Sequence, residues 1–282
     1  MLDLSDRHEL AWLSQLVTEI RAAVPKVEPL VAGALARDLW LHFGYGVEIK
    51  RATKDVDFAL AVDWKAFSAA REALLATGLF EPVGNAAHKL RHRKFGWVDL
   101  IPFGAVERAD GTIAWPPSED EIMNVLGYAE ADAAAIRAAL PHNQSVRAMS
   151  LPMLAVLKVL AWKDRHRIAQ GRDAADLALI MKWYVEAGNV ERLYADFAHV
   201  LNESFDFERT SAWLLGRDAR AQLIEHSPRL DRMLGVLDDV LAGELDHEGA
   251  QTLVLQLNPA NPDDALMLLD TFHRGLMGSE AP

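Results

Sequence analysis

The chain has 282 residues, 51% hydrophobic and 25% charged, the balance of a soluble globular protein with material for one large or two ordinary domains. Its 41 acidic residues outnumber 29 Lys and Arg, a net charge of −12 that argues against a general nucleic-acid coat, since such binding works by neutralising phosphates. The lack of cysteine excludes disulfides and zinc–thiolate sites and suits a reducing, cytoplasmic setting.

Met1 to Arg7 carry acids and lack the apolar core of a signal peptide. Residues 6–24 then place Leu10, Leu13, Leu16, Val17, Ile20 and Val24 at helical spacing, and Pro25 stops the helix. Leu30-Val31-Ala32 predicts a short strand turning at Gly33 into a helix over 34–43. Asp55 to Val62 predicts a strand, and 64–77 a helix ended by Gly78. His88–Lys94 and Trp97–Phe103 predict strands paired around Phe95-Gly96. Residues 108–117, with Asp110-Gly111 and Pro116-Pro117, read as loop. From Ser118 the pattern turns helical, with Ser118 as cap and Glu119, Asp120 and Glu121 in the first turn. Further helices are expected over 150–168, 172–187, 190–204, 209–225, 229–242, 247–256 and 262–276. The run from Leu151 is broken by Lys158, and no uncharged stretch approaches the ~20 apolar residues of a membrane span. The class is therefore α/β (α+β), with an α/β domain over 1–115 and a helical domain over 116–282.

Three aspartates carry the chemistry. Asp55 and Asp57 alternate with Val56 and Phe58, so on a strand they share one face, and Asp99 sits between Val98 and Leu100 on a later strand. Burying three carboxylates among these apolar neighbours is costly unless a cation neutralises them. Hard oxygen ligands on adjacent strands suit Mg²⁺, which takes one or two protein carboxylates plus substrate phosphates. A D-x-D pair alone is usually a solvated strand face. A glycine turn, a D-x-D strand and a lone Asp on a later strand, in that order, point to nucleotidyl transfer.

This conjunction resembles the nucleotidyltransferase superfamily of DNA polymerase beta, the CCA-adding enzymes and the AbiEii-type toxins. Its pattern, hG[GS], then Dh[DE]h, then h[DE]h, falls on Gly33-Ala34, on Asp55-Val56-Asp57-Phe58 and on Val98-Asp99-Leu100. Ala34 departs from the pattern, having no hydroxyl to offer a phosphate, although backbone N–H groups at a helix start remain able to do so. The resemblance implies a polymerase-beta-like domain with a mixed sheet followed by helices that complete the nucleotide site. It also implies two Mg²⁺ ions on Asp55, Asp57 and Asp99, an NTP substrate and a cognate antitoxin as partner.

A second constellation lies in the helical half. Lys158, Trp162 and Arg165 share one helix face, where two cations could reach a triphosphate. Lys158…Ala161…Arg165 and Arg172-Asp173-Ala174-Ala175-Asp176-Leu177 are similar to the AbiEii-type motifs K-x-x-A-x-x-x-R and K-D-x-x-D-L, with Arg172 in place of lysine. The resemblance sets Lys158 against the nucleotide phosphates and adds Asp173 and Asp176 to the nucleotide site. A bland alternative makes Arg172 and Asp176 a simple helix pair.

The run His88 to Lys94 is the densest positive patch. Lys89, Arg91 and Arg93 alternate, so on a strand they share one face, where they meet a phosphate or RNA end or merely solvate the sheet. Its histidines have no partners at zinc spacing. Arg37-Asp38 and Lys54-Asp55 resemble the CCA-adding signature, but no R-R-D follows at a comparable distance. The sequence supports an AbiEii-like transferase acting on an RNA (tRNA) or protein hydroxyl. An aminoglycoside-type nucleotidyltransferase and a non-catalytic nucleotide sensor are the alternatives.

Overall fold

Period-two alternation builds the centre of the sheet. In the computed structural model, which describes residues 1–49, 55–201, 205–246 and 252–280, Val56, Phe58 and Leu60 are buried while Asp55 and Ala61 are exposed. Chain order gives β1 (Leu2–Asp3), α1 (Ala11–Ala23), β2 (Leu30–Ala32), α2 (Gly33–Asp38, running on as a π-helical turn over Leu39–Gly44), β3 (Asp55–Ala61) and α3 (Trp64–Ala76). Next come β4 (Phe80–Val83), β5 (Ala86–His92), β6 (Gly96–Phe103), β7 (Thr112–Ala114), β8 (Ile122–Asn124), α4 (Tyr128–Ala133), β9 (Ile136–Leu140) and β10 (Gln144–Ala148). Eight strands form one mixed sheet in the order β1-β9-β10-β2-β3-β6-β5-β4, and β7 and β8 form a separate ribbon. The mixed sheet of an α/β fold is thus present as expected.

Register fixes the functional edge. β3 and β6 are parallel, with Asp55 opposite Trp97 and Asp57 opposite Asp99. β2 runs antiparallel to β3 with Ala32 opposite Asp57, and β5 antiparallel to β6 with Lys89 opposite Asp99 and Arg91 opposite Trp97. Directly opposed residues point to the same side of a sheet. Val56, Phe58, Val98 and Leu100, on the other side, are at most 2% exposed. Their burial holds the register, because a one-residue slip would send them into water.

The helical expectation from Ser118 is corrected. Glu119 adopts a left-handed φ of 60°, and β8, β9 and β10 follow with only the short α4 among them. β9 and β10 form a hairpin whose turn residues His142 and Asn143 are also left-handed. The expected boundary at 115/116 therefore moves: the chain divides into compact units Met1–Ser150 and Leu151–Pro282.

The second unit holds α5 (Leu151–Arg165), α6 (Arg172–Trp183), α7 (Val190–Asp196), α8 (Phe207–His226), α9 (Leu230–Asp246), α10 (Thr252–Leu257) and α11 (Pro262–Met277). α8 and α11 touch backbone to backbone: a Cβ on Gly216 would lie 2.2 Å from the Phe272 carbonyl oxygen, and one on Gly275 2.2 Å from that of Trp213. Asn261 caps α11 by accepting from the Asp264 amide. The expected helix at 247–256 begins among residues 247–251, which lie outside those described, as does Lys54. No helix among the described residues is long and apolar enough to cross a membrane.

Candidate active site

The strand ends gather one constellation. β2 ends where β3 and β6 begin and β5 finishes, so Asp55, Asp57, Trp97, Asp99, Lys89 and Arg91 occupy one side of the sheet at one end. The carboxylates are not sunk in the core as the sequence suggested: Asp55 is exposed, and Asp57 and Asp99 are half-buried. They are the outward-facing members of strands whose inward faces are apolar.

Gly33 meets this group from the β2 side. Its φ of +61° lies in the left-handed region, and a Cβ there would lie 2.0 Å from Asp57 Oδ2. The glycine backbone therefore abuts the carboxylate directly, and Ala34 follows it in α2. Farther along α2, Arg37 Nε donates to Asp38 Oδ1 at 2.8 Å, a buried pair between chain neighbours.

On the other flank, Lys89 Nζ lies 3.4 Å from Asp99 Oδ2. Arg91 is exposed beside Trp97. Arg93 follows directly on the last residue of β5, His92; its amide bonds the Leu79 carbonyl at 3.0 Å, and its Nε bonds Oε1 of Glu81, the residue opposite Arg91, at 3.1 Å. His92, which is 2% exposed, anchors the turn that follows β5. Its Nδ1 accepts from the amides of Lys94 and Phe95, and its Nε2 lies 2.9 Å from Glu19 Oε2. The sequence reading gave His92 no role. The signal was a histidine directly before a tight turn, where its ring can accept from the turn amides. His88 lies on the other side of β5, its ring tilted 37° against that of Trp115 with centroids 4.9 Å apart. Burial and the Lys89 charge lower its pKa, against the opposing pull of Asp99 and Glu121.

Among the described residues, no three His, Cys, Asp or Glu side chains converge tightly enough to make a metal site by themselves. The in-register pair Asp57 and Asp99 nonetheless has the donor set of a hard divalent cation, for which Mg²⁺ requires only one or two protein carboxylates when phosphates complete the shell. Its all-oxygen chemistry fits Mg²⁺ and does not fit soft metals.

The helical unit brings together the second expected group. Lys158 Nζ lies 3.1 Å from Asp173 Oδ1 and 2.5 Å from Asp176 Oδ2, and Arg165 grips both oxygens of Asp173 at 2.7 and 2.8 Å. Asp173 is 1% exposed and Lys158 is 8% exposed. Burial alone would lower the Lys158 pKa, but Asp176 and Asp173 outweigh it and hold the amine above its usual value. Burial would raise Asp173, but the Arg165 hydrogen bonds and the Lys158 charge bring it below the ordinary carboxylate range. Lys158 thus has two carboxylates close at hand, and Asp176 has a stronger partner than a helix-surface arginine. Trp162, on the same helix, donates to Gln256 Oε1 at 2.8 Å and is nearly buried.

Comparison with known proteins adds three structural likenesses. The antibiotic-resistance factor ANT(2'')-Ia is 15% identical over 67% of this chain and 96% of its own, with a TM-score of 0.37. An antigenic nucleotidyltransferase-like protein from Paracoccidioides brasiliensis is 18% identical over 70% of this chain and 92% of its own, with a TM-score of 0.40. JHP933 from Helicobacter pylori is 14% identical over 96% of this chain and 94% of its own, with a TM-score of 0.33. No curated protein matches. The family described as "Nucleotidyl transferase AbiEii toxin, Type IV TA system" matches residues 30–266. That span runs from β2 into the first turn of α11 and takes in the glycine turn, all three aspartates and the Lys158 cluster. The chain belongs to the AbiEii family and is a nucleotidyltransferase.

Proposed function

We propose that this nucleotidyltransferase transfers NMP from a Mg²⁺-bound NTP to a hydroxyl of RNA, as a toxin held in check by a cognate antitoxin in the cytoplasm. The observation that carries it is the pairing of Asp57 with Asp99 on neighbouring parallel strands, with Gly33 against one flank and basic residues on the other.

Asp57 and Asp99, with Asp55 two residues along the same face, would hold the divalent ions. Bound there, Mg²⁺ would offset the charge of the α-phosphate and of the departing pyrophosphate. Gly33 keeps the β2–α2 turn free of a side chain, so backbone N–H groups can approach phosphate oxygens. Asp99 accepts the proton of the acceptor hydroxyl as the new O–P bond forms and the α–β bridging bond breaks, releasing pyrophosphate. Lys89 Nζ, 3.4 Å from Asp99 Oδ2, stands beside that carboxylate on the neighbouring strand. Lys158 bridges Asp173 and Asp176 and so orders that acidic group in the helical unit.

Gly33→Ala tests the turn. The added methyl must displace the Asp57 carboxylate and hold a left-handed backbone, a conformation costing roughly 1–2 kcal/mol. Transfer should drop at least about tenfold, since each ~1.4 kcal/mol lost from the transition state is a factor of ten. Initial rates with α-labelled NTP measure this, and an unchanged rate would leave the glycine without a catalytic reason.

The RNA acceptor rests on Lys89 and Arg91, which stand beside the carboxylates in an acidic chain. Changing both to Gln should reduce the slope of log K against log salt by about 0.7 to 0.9 per lost contact. The acceptor itself is identified by incubating the enzyme with each labelled NTP and either total RNA or total protein. Label in protein alone would overturn the RNA assignment while leaving nucleotidyl transfer standing.

A further inference from the structure

Beside the carboxylates lies a hollow of about 520 Å³ bounded by Trp12, Lys94, Phe95, Trp97 and Asp55. Trp12, Lys94 and Phe95 also wall a second hollow of about 540 Å³ that continues along α1 past Gln15 and Glu19 to Gln144. The two share the walls made by Trp12, Lys94 and Phe95 and so border one another as a trough, with Asp55 lining the first. Its aromatic content is unusual for a surface: Trp97 is 44% exposed, and Trp12 and Phe95 are half-buried with ring centroids 6.3 Å apart. Lys94 stands over Phe95 with Nζ 5.2 Å from the ring centre, and Arg91 is exposed opposite Trp97 on the neighbouring strand.

Strand order decides which substrate belongs there. Gly33 approaches Asp57 from the β2 side, while Trp97, Lys94 and Phe95 lie on the β6–β5 side. A triphosphate at the glycine turn leaves the trough to the molecule that supplies the hydroxyl. Aromatic rings interleaved with cations suit unpaired nucleotides, because every base has a stacking face and every linkage a phosphate. His92 clips the turn through two amide hydrogen bonds and stacks on Phe95 at 4.5 Å, so the rings are held in place before any ligand arrives.

We propose that this trough binds the single-stranded end of the RNA acceptor, with a terminal base stacked on Trp97 and a backbone phosphate on Lys94. The proposal rests on the nucleotidyl-transfer reading of Asp57 and Asp99 but is tested by binding alone. A labelled short single-stranded oligoribonucleotide and the same strand in a blunt duplex are titrated with the full-length protein by fluorescence anisotropy. The wild type should prefer the single strand. Trp97→Ala should weaken that binding about tenfold or more, as loss of one stacked base does. Trp97→Phe should recover most of it, and Lys94→Gln should flatten its salt dependence. Mg²⁺-ATP and Mg²⁺-GTP affinities, measured by calorimetry on the same variants, should not move.

Equal affinity for duplex and single strand, unchanged binding by Trp97→Ala, or no RNA binding at all would overturn the proposal. So would a loss of NTP affinity in Trp97→Ala with RNA binding intact, which would assign the trough to the incoming nucleotide. Asp57→Asn separates the two ideas. RNA binding that survives in this variant while wild type and variant alike fail to transfer nucleotide would sink the catalytic reading and leave the trough standing.

Discussion

Asp57→Asn should abolish nucleotide transfer in a protein that remains folded. The amide keeps the shape pressed against Gly33 but removes the negative charge facing Asp99's strand. It also relieves repulsion within a group of acids, so no loss of stability is expected. Asp99→Asn should differ in kind, retaining NTP affinity while turnover falls by about 10²–10⁴, the range for a positioned proton acceptor. Labelled-NTP incorporation and calorimetric NTP titration separate the two, with circular dichroism to confirm folding. Incorporation at the wild-type rate by either variant would take that carboxylate out of the chemistry.

Lys158→Ala should destabilise the helical unit by about 3–5 kcal/mol, because it removes the buried cation that two carboxylates share. Asp173 keeps Arg165, but Asp176 loses the partner 2.5 Å away. A triple change, Lys158→Met with Asp173→Asn and Asp176→Asn, removes the charges together and should recover much of the loss. Urea denaturation followed by helical circular dichroism measures both. The pH dependence has two limbs. Asp173 is held below its ordinary range, so its contribution is present above the usual carboxylate pKa and is lost as pH falls through the lower folded value. Lys158 is held above its ordinary value, so its contribution is complete below that value and is lost as pH rises through the higher folded one. Equal stability of Lys158→Ala and wild type at neutral pH would free the amine for a phosphate instead.

What was legible in the sequence follows from where each residue's environment is local. Val56, Phe58 and Leu60 alternate with Asp55, Asp57 and Ala59, so period alone gave the strand, its face and its carboxylates. Leu30-Val31-Ala32 before Gly33 likewise announced a strand and a turn. β9 was hidden because Ile136-Arg137-Ala138-Ala139-Leu140 is rich in alanine, a strong helix former, and only pairing with β1 and β10 makes it a strand. The acids after Ser118 mimicked a helix start, but Glu119 turns left-handed and ends that option. Side-chain partners far apart in sequence were the least visible. Arg93 fitted the strand pattern of Lys89 and Arg91, and what that pattern did not show is its partner, Glu81, which lies opposite Arg91. Lys158 was read as facing a phosphate, and its ion pairs with Asp173 and Asp176 emerge only once α5 and α6 are packed.

Because β3 and β6 are locked by the burial of Val56, Phe58, Val98 and Leu100, alignment of the carboxylates has no intermediate setting. A strand can shift only by whole residues, and a single step would turn the aspartates inward and the phenylalanine out. Damage to the inner face of the sheet therefore divides the molecules into competent and incompetent ones instead of making each a little slower. In a cell, such damage acts as a dosage change: fewer active copies, each working at full rate.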